Sequence, residues 1–325
     1  YFVTIQFKLA EDKPWAKAGF VQAEEQLLVK AAGQRPLISA VSKDAPAIRL
    51  TADKANANLQ TVTGENFEAR FDMETGTLYS LSYNGKKVIT DGNGPKLDAF
   101  RAFTNNDNWF YSQWFARGLH NLKHKVISSK VFQGKEGSQV FSFMVESQAP
   151  NAARILGGTS SGRNSIEELT DRPFGEDDFK FTTHQIWTVY KDGSIELEAS
   201  ITSNMPNFIL PRLGYLVRVP KQLDQFTYYG RGPVENYADR KTGQFIAEYR
   251  STVKEQFADF PKPQSMGNHE EVRWAALTDG QQGVLFIAKE AMSTTALPYS
   301  EHDLTLAGHP YQLPAPGDTY LHLDL

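Results

Sequence analysis

Apolar and polar residues alternate singly along most of this chain. At the start, Phe2, Val3, Ile5, Phe7 and Leu9 stand against Thr4, Gln6 and Lys8. A period of two puts each set on one face of a strand, so residues 1–9 read as half-buried β-structure. Residues 18–29 suit either a helix or a strand. Residues 30–53 carry Gly33, Pro36 and Pro46 with little periodicity and read as a linker. Residues 66–72 and 78–83 then alternate on either side of Met73-Glu-Thr-Gly-Thr77, which predicts a hairpin. Asn84-Gly85, a dipeptide suited to tight β-turns, leads into a further strand at 87–90. Strands follow at 126–147 about the turn from Gly134 to Gly137, and at 179–190, 195–202 and 212–219. From there to Leu325, strand patterns separated by Gly and Pro turns continue. Two stretches break the pattern. At 100–120, Asn105-Asn-Asp-Asn108 precedes a crowd of aromatics (Trp109, Phe110, Tyr111, Trp114, Phe115), and residues 114–121 are expected to form one short helix. Residues 151–178 are polar and glycine-rich, and are expected to form a long loop.

Many short strands at roughly ten-residue spacing predict an all-β sandwich or barrel. The 325 residues suffice for one large β-domain or two ordinary ones. With 40% hydrophobic and 22% charged residues, the chain can fill a packed core. A net charge of −4 favours neither nucleic acid nor an anionic membrane as partner. There is no cysteine, which excludes disulfides, thiolate metal sites and a cysteine nucleophile.

The densest chemistry lies in Tyr228-Tyr-Gly-Arg-Gly-Pro-Val-Glu-Asn-Tyr-Ala-Asp-Arg240. Gly230, Gly232 and Pro233 predict a tight turn leaving a strand. Glu235, Asn236, Tyr237, Asp239 and Arg240 supply side chains to pin it. About thirty residues on comes Pro263-Gln-Ser-Met-Gly-Asn268, then Val272-Arg273-Trp274. The first stretch resembles a signature of the C-terminal domain of glycoside hydrolase family 2 β-galactosidases. The second, with Gly267, Arg273 and Trp274, resembles that domain's next signature. Family members commonly carry an acidic residue and an asparagine where Ser265 and Met266 stand, so no polar or ion-binding role passes to these two.

The resemblance covers nearly the whole chain. It implies a large twisted antiparallel double-sheet sandwich of the galactose-mutarotase-like kind, preceded by part of an immunoglobulin-like sandwich. The expected division is residues 1–32 as the last immunoglobulin-like strands, 33–53 as linker and 54–325 as the large sandwich. The start in mid-strand without methionine is expected of an excised segment. At the other end the chain stops before a further glycine-rich motif and active-site tryptophan of the family. The compartment, cytoplasm or periplasm, is not written in these residues.

Retaining glycoside hydrolysis uses two carboxyl groups, and in this family both lie on a preceding (β/α)₈ barrel. The chain has no βαβα alternation, so no catalytic residue is assigned here. Glu235 is expected to be a turn carboxylate, bonded to backbone amides or to Arg240 or Arg273. The expected parent is a homo-oligomeric retaining β-galactosidase. The expected partner of this chain is its barrel, on the same polypeptide or on a large chain. The resemblance also implies that residues 101–109 form a mobile loop near the barrel's active site. Asn105 and Asp107 would meet sugar hydroxyls there, and Trp109 would stack on a pyranose. Family enzymes use Mg and Na ions, whose ligands are expected outside this chain, and no metal site is assigned. His120 and His124, four apart, offer two ligands if helical, but strand pattern resumes beside them. Other readings of the same fold are a stand-alone aldose epimerase, with His309 and Glu301 as its acid–base pair, or a carbohydrate-binding module.

Overall fold

The computed structural model describes residues 1–31, 45–53, 56–157 and 162–325. Alternation in the sequence becomes antiparallel sheet. Arg49–Ala52, Leu59–Thr63, Phe67–Asp72, Thr77–Tyr83 and Lys86–Ile89 form a five-stranded meander in chain order. Asn84 and Gly85 turn its last corner, both at positive φ. A four-stranded sheet runs in the order Ile195–Ser203, Lys180–Val189, Gln139–Gln148, Lys123–Gln133. The largest sheet has seven strands, in the order Phe245–Thr252, Gln225–Gly232, Asn268–Thr278, Gly283–Leu297, Thr319–Asp324, Gly214–Val219, Lys96–Asp98.

All three sheets feed one core. Phe71 of the meander stacks on Phe141 of the four-stranded sheet at 4.2 Å between ring centroids. Val217, Phe226, Tyr228, Val272, Leu277 and Leu321 close the core from the seven-stranded sheet. Such side chains bury their apolar surface at about 25 cal/mol per Å², which is why one face of each strand is apolar. The fold is thus the expected all-β sandwich, with several antiparallel sheets.

One turn in the core tolerates no side chain. Gly76 sits at φ +71°, and a Cβ there would lie 2.7 Å from Val145 Cγ2 of the four-stranded sheet. Gly76→Ala is therefore expected to destabilise the sandwich by about 1–3 kcal/mol, from positive φ and overpacking together. A shift of the urea midpoint measures it, and an unchanged midpoint would refute the close fit.

Three local expectations are corrected. Residues 151–178 are not a loop: Asn151–Leu156 pairs with Ser165–Pro173 as a hairpin. Only Ala153, Ile155 and Ile166 of it reach a core, so the strands carry little apolar alternation. The helix expected at 114–121 runs instead over Tyr111–Ala116 (α1). Gly118 at φ +68° ends it, and a 3₁₀ turn follows at Leu119–Asn121. A second helix, Glu301–Leu306 (α2), stands where only strands were expected. The linker expected over 33–53 lies mostly outside the described residues, and its described end holds the strand Arg49–Ala52, paired with Leu59–Thr63.

At the start of the chain, Phe2–Lys8 and Val21–Leu28 form a two-stranded ribbon, which settles residues 18–29 as strand. The Gln26 side chain donates to Ile246 O at 3.1 Å and accepts from Ile246 N at 2.8 Å. The ribbon is thereby tied to the edge strand Phe245–Thr252. No described helix is long and apolar enough to cross a membrane.

Candidate functional site

The stretch from Arg101 to Trp109 leaves the seven-stranded sheet after Lys96–Asp98 and precedes α1. Its shape is set by one ion pair. Arg101 Nη1 and Nη2 donate to the two carboxylate oxygens of Asp107 at 2.7 and 2.9 Å. Such a two-pronged pair is among the stronger polar contacts. Asp107 Oδ2 also accepts from Thr104 N at 2.7 Å, closing a 3₁₀ turn over Asn105–Asp107. Arg101 further lies over the Trp114 ring, 5.4 Å from its centroid. Phe103, stacked on Tyr111 at 4.2 Å, roots the stretch in the aromatic core around α1.

Asn105 and Trp109 lie on the outside of this turn. Trp109 is 72% exposed and touches Phe110 at 5.1 Å between centroids. Asp107 differs from them: its side chain is 13% exposed, and both its oxygens are already engaged. The geometry thus separates two presented side chains from the carboxylate that holds them.

The two glycine motifs meet in space. Gly232 is buried, and a Cβ there would fall 2.3 Å from Tyr228 Oη. The Gly232–Pro233 peptide is cis. Glu235 accepts from Gly267 N and from Arg240 Nη2, each at 2.7 Å, and from Tyr237 Oη at 3.3 Å. It is the turn carboxylate expected, with Arg240 rather than Arg273 as the cation. Asn236 is fully buried, and its side chain bonds Arg231 O, Val234 O and Glu270 N. Asn268 returns a bond to Asn236 O at 2.8 Å. Gly267 takes φ +71°, where a Cβ would crowd Gln256 O at 2.8 Å. Burial, then the nearby Glu235 charge, pushes the Tyr237 hydroxyl well above its ordinary range. Asp239 is exposed. Arg273 donates to Glu271 O and lies 6.0 Å from the Tyr229 ring. Trp274 is half-buried in its strand, opposite Tyr229 and Ile287. The contacts of Glu235, Asn236 and Asn268 brace a turn. Met266, at the position where the family signature is polar, is fully buried in a small apolar cluster.

The histidine pairings considered in sequence do not form. His120 Nε2 meets Glu168 at 2.8 Å, whereas His124 meets Ser147 at 2.9 Å. His309 stacks on Tyr311, while Glu301 is buried against Arg212. No three His, Asp or Glu side chains among the described residues converge into a metal-holding group.

One buried cluster was not brought together by sequence reasoning. Arg212, 6% exposed, reaches Glu301 at 2.8 Å and Asp324 at 3.1 Å. His322 Nδ1 lies 3.0 Å from Asp98. Burial pushes the Asp98 carboxyl up to about 6 and the His322 imidazole down to about 4. Glu301 also accepts from Ala102 N at 2.5 Å. This buried cluster therefore anchors the chain one residue after Arg101, where the exposed turn begins. Of its members, Glu301 alone carried a signal: Ser300 and Asp303 form a capping box that marks the start of α2.

Comparison with known proteins identifies the family. A family model described as "Beta galactosidase small chain" matches residues 63–325. A β-galactosidase of Priestia megaterium is 32% identical over 316 residues, which are 97% of this chain and 27% of that protein. A β-galactosidase of Lactobacillus delbrueckii subsp. bulgaricus is 29% identical over 96% of this chain and 27% of its own length. One from Staphylococcus xylosus is 22% identical over 99% of this chain and 29% of its own length. The chain thus spans about a quarter of the length of these relatives.

Proposed function

Because the chain belongs to the β-galactosidase small-chain family, we propose that it is the non-catalytic part of a retaining β-galactosidase, acting on terminal β-D-galactosides. In this reading it braces a catalytic barrel, carried on the same polypeptide or on a large chain, and lends the turn from Arg101 to Trp109 to the active-site rim. The ribbon of residues 1–31 would be the end of an immunoglobulin-like domain whose other strands lie outside this chain. Mg and Na ions used by the parent would be held outside it as well.

The observation that carries the rim assignment is a 72% exposed tryptophan on a turn held by a bidentate ion pair. An exposed indole on a stiff support loses little conformational entropy when a sugar face stacks on it. Asn105, exposed on the same turn, offers both a donor and an acceptor to hydroxyls. Asp107 acts by fixing the pair of them.

Reconstitution tests this. The chain alone is expected not to hydrolyse lactose. Mixed with a barrel-containing large chain, it is expected to restore hydrolysis. Trp109→Ala should lower kcat/KM in the mixture about tenfold, equivalent to about 1.4 kcal/mol, and leave the melting temperature nearly unchanged. Unaltered kinetics with a lowered melting temperature would make Trp109 a packing residue and remove the rim assignment.

A further inference from the structure

Two remote segments grip one buried residue at the root of the exposed turn. Ala102 is 0% exposed. Its N donates to Glu301 Oε2, on α2, at 2.5 Å, and its O accepts from Ser265 N, in the second glycine motif, at 3.3 Å. We propose that Glu301 is a positioning residue for β-galactoside hydrolysis, which together with the second glycine motif sets where Asn105 and Trp109 stand. The inference rests on the rim reading and adds to it the residues that aim the turn.

The Arg101–Asp107 pair cannot do the aiming. Both partners belong to the turn, so their bonds give it a shape and move with it. Its place has to come from other segments. On one side stands α2, whose first residue is Glu301. Ser300 Oγ donates to Asp303 Oδ2 at 2.6 Å and accepts from Asp303 N at 3.0 Å, which fixes the start of that helix. Arg212 occupies Glu301 Oε1 at 2.8 Å and leaves Oε2 for Ala102 N. Pro211, next to Arg212, accepts from Arg101 Nε at 3.3 Å, so one segment holds both the turn's arginine and the carboxylate behind it.

On the other side stands the second glycine motif. Met266 packs with Ala102, Leu297 and Leu304, the last of these from α2. Lys262, just before the motif, places Nζ 4.9 Å from the centroid of the Phe103 ring. Gly267 N donates to Glu235 at 2.7 Å, which ties this support back to the first glycine motif. Both dense stretches of the sequence thus end at the root of the turn. Weakening the bond to Ala102 N leaves a buried amide poorly paired, and a shift of the root toward a better acceptor relieves it. Trp109 lies at the far end of the turn, where such a shift is magnified. A displacement of about 1 Å at a positioning group can cost about 10²-fold in rate.

Kinetics of lactose hydrolysis by the chain mixed with a barrel-containing large chain test the proposal. Glu301→Gln keeps the side-chain shape but exchanges a charge-assisted bond for a neutral one, and should lower kcat/KM about fivefold. Lys262→Ala removes an exposed side chain, and should lower kcat/KM about twofold with the melting temperature unchanged. Neither substitution should lower it further in an Asn105→Ala/Trp109→Ala background, because a positioning residue has nothing left to position there. Glu301→Gln that lowers the melting temperature and leaves kcat/KM intact would overturn the inference. So would a loss that persists at full size in the doubly substituted background. If Glu301→Gln does not fold, Lys262→Ala decides by the same two criteria. Unaltered kinetics in the Asn105→Ala/Trp109→Ala chain would be a different result: the rim reading itself fails, and the inference falls with it.

Discussion

Replacing Arg212 by methionine is expected to cost the sandwich about 3–5 kcal/mol, the penalty of stranding buried partners of a lost charge. The guanidinium lies between Glu301 at 2.8 Å and Asp324 at 3.1 Å, and also donates to Thr295 Oγ1 at 3.4 Å. Methionine fills much of the same volume, so the cost reads charge and hydrogen bonding rather than a cavity. The loss should also depend on pH. Burial raises the Asp98 and Asp324 carboxyls, and in each case Arg212 is the leading influence pulling the other way. Without it both folded-state values rise further. A carboxyl raised in the folded state is least costly below its unfolded value, and stability is lost as pH climbs through the folded one. The deficit of the variant should therefore be largest near pH 8 and shrink toward pH 5. Urea unfolding at the two pH values measures both effects. A deficit under about 1 kcal/mol, or one that does not change with pH, would mean that the cluster is solvated and exerts no such hold.

That cluster also marks where the sequence stops being legible. His322 and Asp98 are 224 positions apart, and nothing local announces that either is buried. The same limit applies to Glu168, which stood in a stretch read as a loop and proves to line a cleft with His120 and His302. Local chemistry was readable. Asn84-Gly85 takes the positive φ pair that its residue types demand. Glu235 bonds Arg240 only five residues on, as a turn carboxylate does. Strands with one apolar face, such as Gln139–Gln148, show their alternation plainly. Strands exposed on both faces, such as Ser165–Pro173, lack it and cannot be told from loops. Six-residue helices are too short to display a period at all, which is why α2 was read as strand. For the exposed turn, sequence named Asn105, Asp107 and Trp109 as a set. It could not separate the side chains presented outward from the one spent on Arg101, since that division depends on which way each points.

Asn236→Ala is expected to cost about 2–4 kcal/mol, because a fully buried side chain that bonds three backbone groups is lost at once. The side chain donates through Nδ2 to Arg231 O at 3.1 Å and to Val234 O at 3.0 Å, and accepts through Oδ1 from Glu270 N at 2.9 Å. It is 0% exposed, so water cannot replace it without opening the turn. The decisive comparison is Asn236→Asp, which has the same shape and leaves no cavity. It keeps the bond from Glu270 N but places a carboxylate oxygen against two carbonyl oxygens. Repulsion and burial then raise its folded-state pKa above the unfolded value. The aspartate variant should accordingly be as unstable as the alanine variant at pH 7. It should recover relative to the wild type as pH falls toward 4, because a protonated acid can donate to one carbonyl again. Asn236→Ala has nothing to titrate and should show no such recovery. The turn also sets Glu235 against Gly267 N at 2.7 Å, so in both variants the Gly267 amide should exchange faster with solvent. An aspartate variant within about 0.5 kcal/mol of the wild type at pH 7 would show that the bonds of the Asn236 side chain contribute nothing to joining the two glycine motifs.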